Sequence, residues 1–153
     1  MGKLSELQKR LEKFDPNEIL NEVLKDTKKP EELVKERLNE EGKDSKGRKL
    51  RTYGAKGFGK GVYTPYTTML KKQKGQPFDR VTLKDTGAFQ KSFEKILLKE
   101  AFNIEGNSKK DNGEIEDNVD LTNVLNLSKN ELSELVNEIK PDYIEAVRQS
   151  IGL

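Results

Sequence analysis

Apolar residues recur at helical spacing through the first forty positions: Leu4, Leu7 and Leu11, then Ile19, Leu20, Val23 and Leu24, then Leu33, Val34, Arg37 and Leu38. Side chains three and four apart share one face of a helix, so the pattern predicts three short amphipathic helices. Their boundaries carry matching chemistry. Asp15, Pro16 and Glu18 read as an N-cap, a first-turn proline and a capping-box acid, a third helix begins around Pro30, and Gly42 stops it. Core packing is the default reading of these narrow stripes, and they suit a neighbouring surface better than a cofactor.

The later pattern mixes periods. Thr64 and Pro65 open a short helix that Gly75, Gln76 and Pro77 break after Lys74. Val81, Thr82 and Leu83 suit a strand, Lys84 to Gly87 supply a turn, and Phe89 and Phe93 fall four apart on one helical face. A strand is therefore expected to feed a helix whose two rings point inward. Ile96, Leu97 and Leu98 fit either the end of that helix or a buried strand. Phe102–Glu105 and Gly113–Val119 flank the polar turn GNSKKDNG and are expected to pair as a hairpin. Ser128 with Glu131 forms a capping box for a helix through Leu132, Leu135, Val136 and Ile139, and Pro141 is expected to start a separate last helix through Tyr143, Ile144, Val147 and Ile151. The expected fold class is α+β: a small β-sheet packed with helices, a helical N-terminal extension and a helical C-terminus. The expected organisation is a helical docking segment over 1–42, a glycine- and lysine-rich loop or arm over 43–63, and an α+β core domain with C-terminal helices over 64–153.

Composition narrows the function classes. Hydrophobic residues make up 32% of the 153 and charged residues 37%, below the roughly 45–50% apolar usage of ordinary domains, so part of the burial is expected against partners. Cysteine, histidine and tryptophan are all missing. Without imidazole or thiol the common triads, the usual zinc sites and a neutral-pH base cannot be built. The chain is thus expected not to be an enzyme and to carry no cofactor. No apolar run reaches signal-peptide length or the roughly 20 residues of a membrane span, so a soluble chain with no membrane partner is expected.

Charge is partitioned along the chain. Residues 1–42 hold 9 basic and 11 acidic side chains, 43–80 hold 11 and 2, 81–99 hold 4 and 2, and 100–153 hold 5 and 12. A basic middle and an acidic C-terminal part suit subunits that pack head to tail; two solvated faces that never meet are the alternative. Within the basic middle, seven lysines and arginines lie between Lys43 and Lys60 with Tyr53 and Phe58 among them. Such a segment can follow nucleic-acid phosphates, an acidic protein groove, or neither. Lys46, Arg48, Lys49, Arg51, Lys56, Lys60, Lys71, Lys72 and Lys74 are the candidate interface or DNA-facing residues.

Two tempting motifs fail. Gly54–Lys60 matches the G-x-x-x-x-G-K half of a phosphate-binding loop, but Gly61 stands where Ser or Thr would hold magnesium and VYTP cannot begin the required helix. Aligning Gly113 with the invariant glycine of a calcium loop puts Lys110 at a ligand position and Val119 where the bidentate Glu belongs.

The arrangement L-x-D-T-G-x-aromatic-x-x-S-aromatic, carried by Leu83, Asp85, Thr86, Gly87, Phe89, Ser92 and Phe93, resembles the most recognisable segment of small neck and tail-completion proteins of tailed bacteriophages, the virion morphogenesis type of head-tail connector. A looser likeness extends upstream through Tyr66 and KKQKGQPFDRV, so roughly a third of the chain takes part. The resemblance implies a structural virion protein, a homo-oligomeric ring around the portal and tail axis. It implies portal, adjacent connector or tail proteins as partners, non-specific contact with packaged DNA, and a place in the virion neck reached from the host cytoplasm during assembly. It also implies that Leu83–Phe93 shapes the folded core. The helical N-terminus is longer than a minimal family member needs, as an added docking element would be. A nucleic-acid-binding module using the basic 43–74 segment is the alternative.

Overall fold

The computed structural model describes residues 2–57, 62–110 and 113–153. Its class is α+β. Three N-terminal helices, α1 (Lys3–Glu12), α2 (Pro16–Asp26) and α3 (Lys29–Glu40), follow the expected boundaries. Asp15 caps α2, its carboxylate accepting from the backbone N–H groups of Asn17 and Glu18, and Gly42 turns the chain after α3 at a φ of +60°. A loop with a 3-10 turn over Tyr53–Gly57 leads to α4 (Pro65–Gln73), capped by Thr64 as expected. The short α5 (Ala88–Lys91) precedes β1 (Glu94–Leu97), β2 (Phe102–Glu105), β3 (Lys109–Lys110) and β4 (Gly113–Glu114), and α6 (Lys129–Ile151) ends the chain.

The strands form two separate two-stranded antiparallel sheets, which corrects the expected pairing of Phe102–Glu105 with Gly113–Val119. β2 pairs with β1, placing Leu97 opposite Phe102 and Glu94 opposite Glu105. The link between them is Leu98–Ala101, closed by the Leu98 N–H donating to the Ala101 carbonyl. It contains no Gly, Asn or Pro, so the sequence carries no turn signal there. Gly113 and Glu114 pair instead with Lys110 and Lys109, and the chain then turns into a 3-10 turn over Ile115–Asp117.

Two further corrections concern proline and the Val81–Leu83 run. Pro141 does not start a new helix; α6 passes through it without a break for 23 residues, about 35 Å at 1.5 Å per residue. The Asn137 carbonyl loses its donor there. Asn137 and Pro141 are both exposed, so water can take that bond. Val81 and Thr82 are buried and Leu83 partly so, but the run belongs to no strand. Side chains replace the ladder: the Thr82 N–H donates to the Tyr63 hydroxyl, and the Thr82 carbonyl accepts from Gln90 Nε2 at 2.7 Å.

The main core joins Val34 and Leu38 of α3 to Leu50, Tyr63, Val81, Phe89, Phe93 and Val124. A second cluster packs Leu24 and Leu33 against Leu135 and Ile139 of α6. Between these clusters lies a buried arginine. Arg37 Nη1 pairs with Glu131 Oε2, Nη2 donates to the carbonyls of Val124 (2.6 Å) and Asn126 (3.0 Å), and Nε donates to the Lys43 carbonyl (3.2 Å). Glu131 Oε2 also accepts from the Ser128 N–H as half of the α6 capping box. One guanidinium thus holds the end of α3, the 124–126 loop and the start of α6 in register.

Candidate functional site

The Leu83–Phe93 segment folds into a corner in which Asp85, Thr86, Gln90 and Ser92 each have a structural partner. Leu83 takes a φ of +53° and remains packed on the core, ending the extended run where a strand was expected. Lys74 Nζ reaches Asp85 Oδ1 at 2.5 Å, and that hydrogen bond holds the Asp85 carboxyl below its usual range. Thr86 Oγ1 accepts from the Ala88 N–H, and Gly87 enters α5 at a φ of +86°. Phe89 and Phe93 meet edge to face at 5.0 Å, both buried, a preferred aromatic geometry. Phe93 lies beyond the end of α5, so the inward-facing pair is present although the helix is only four residues long. Ser92 Oγ donates to the Phe89 carbonyl and accepts from the Asn107 N–H, tying the corner to the chain after β2.

Gly87 is required by its backbone and not by crowding. A Cβ there would find only Lys91 Cε, at 3.9 Å. L-residues are strained at this φ, β-branched ones most. Gly87→Val is therefore expected to lower stability by about 2 kcal/mol, within the 1–3 typical of strained backbone sites. Urea unfolding checks this, and an unchanged midpoint would remove the assignment.

The structure joins the basic segment to the corner. Lys71, buried, donates to the Lys84 carbonyl (3.0 Å) and Gln76 Oε1 (3.3 Å) and lies 5.0 Å over the Tyr63 ring. Burial lowers its pKa, Asp85 opposes that, and Lys74 and Lys110 add to it. Gln76 Nε2 donates to the Asp85 carbonyl. On the other side, Gln90 and Asn39 exchange amide hydrogen bonds at 3.0 and 3.2 Å, fixing the corner to the end of α3.

The nine candidate basic residues therefore divide. Lys71 is a buried packing residue, Lys74 is engaged by Asp85, and Arg48 Nε is paired with Asp44 at 2.7 Å. Lys72 lies over the Phe78 ring at 4.7 Å. Lys46, Lys49 and Arg51 are exposed on the loop after α3. Of Lys56 only the backbone is described, and Lys60, with Phe58 and the end of the G-x-x-x-x-G-K match, lies outside the described residues.

That loop is not an extended arm over its first half. Lys43 bridges Lys49, Leu50 and Ala55 are buried, and Tyr53 N–H donates to the Asn118 carbonyl at 2.7 Å. Asp44 organises it, 2% exposed, with Oδ1 accepting from the N–H groups of Lys46 and Arg48. Burial alone would raise the Asp44 pKa, but these bonds and the Arg48 side chain outweigh it and hold the carboxyl below its usual range. A depressed folded pKa stabilises above the ordinary carboxylate pKa of about 3.9 and is lost as pH falls through the folded value. Asp44→Ala is expected to cost about 1–3 kcal/mol at pH 7. Urea unfolding at pH 7 and again well below pH 4 should find a smaller deficit at the lower pH, and a constant deficit would contradict the linkage.

Among the described residues no group of acids could hold a metal ion, and no helix is long and apolar enough to cross a membrane. No protein-family model matches the chain, and neither the curated proteins nor the solved structures yield a match.

Proposed function

We propose that this chain is a structural virion protein: a ring-forming head-to-tail connector or tail-completion subunit at the neck of a tailed phage, reaching its place from the host cytoplasm and contacting portal, adjacent connector or tail proteins. The observation that carries the reading is the Leu83–Phe93 corner. The residues behind the resemblance serve folding through caps, a left-handed turn, an aromatic pair and ties to α3 and α4, as expected of a segment whose likeness is architectural. Work by assembly and not by turnover fits a chain without histidine or cysteine. Its partitioned charge and low apolar content suit subunits that complete their burial against neighbours.

A nucleic-acid-binding module is the second reading, favoured by the exposed Lys46, Lys49 and Arg51. Arg48 is a poor probe because its removal also loosens the Asp44 turn. The variant Lys46→Ala/Lys49→Ala/Arg51→Ala separates the readings when DNA retention and recovery of complete particles are measured together. Impaired particle assembly with unchanged DNA retention is expected. Lost DNA retention with normal assembly would favour the second reading.

A further inference from the structure

We draw no further inference here: the strongest candidate, the apolar groove beside α2 and α6 lined by Leu20, Leu24, Phe102, Leu127, Leu132 and Val136 among others, carries none because its charged lining residues Lys99 and Glu100 cancel and nothing in the structure shows what covers it.

Discussion

Replacing Arg37 with alanine is expected to cost about 3–5 kcal/mol, the range for breaking one partner out of a buried ion pair. The guanidinium is 7% exposed and the Glu131 side chain 11%. Its removal leaves that carboxylate without its cation and takes the only side-chain donor seen on the carbonyls of Val124 and Asn126 among the described residues. The Val124 carbonyl belongs to a fully buried residue, so its loss of a donor is the more costly of the two. Against a typical total stability of 5–15 kcal/mol, the loss would leave the chain marginal. The double variant Arg37→Met/Glu131→Leu should recover part of it, because replacing both charges removes the stranded carboxylate. Recovery should stay incomplete, since Glu131 also completes the α6 cap through the Ser128 N–H. Urea unfolding at constant slope reads both variants. A single-variant loss below about 1 kcal/mol would mean that solvent reaches the pair and that it does not hold α3 to α6.

Phe93→Ala should be comparably damaging, at about 3–5 kcal/mol for a fully packed aromatic. Phe93 is 6% exposed, meets Phe89 at an interplanar angle of 89°, and has Lys35 Nζ 5.9 Å from its ring centroid. Truncation leaves a cavity at the point where α5 gives way to β1, and Phe89 loses the edge contact that fixes its ring. Phe93→Leu, which keeps most of the volume, should lose much less. A loss below about 1 kcal/mol for the alanine variant would place the ring at the surface and remove the corner's anchor.

The contrast between these two positions shows what the chain discloses in one dimension. Phe89 and Phe93 were legible as an inward pair because their spacing is local, even though the helix that suggested it stops at Lys91. Asp15, Thr64 and Ser128 were legible for the same reason, each cap bonding within its own first turn. Arg37 was legible only as a polar residue interrupting an apolar stripe. Its partners lie 6 to 94 positions away, so nothing near it identifies the glutamate or carbonyls it serves. Val81–Leu83 misled because β-propensity describes a side chain suited to burial. That requirement is met here by an extended segment bonded to Tyr63 and Gln90. Pro141 misled because a helix interior tolerates proline where the orphaned carbonyl has solvent beside it.

The candidate basic surface was legible as composition and not as geometry. Counting charges located the segment, but the division into buried Lys71, engaged Lys74 and Arg48, and exposed Lys46, Lys49 and Arg51 depends on Asp44, Asp85 and Tyr63. The apolar groove beside α2 and α6 has no sequence signal of its own, since its walls come from three separate segments, 17–24, 99–104 and 125–139. The exposed leucines of α1 were visible as a stripe; that they lack a buried face in their own chain is a property of the fold.

The most direct test of the virion reading is the copy number of this chain in purified phage particles from its source, by quantitative mass spectrometry with the portal protein as internal standard. A fixed stoichiometry of one, or a simple multiple of one, per portal subunit is expected. Absence of the chain from the particle would contradict it and move the nucleic-acid module to first place.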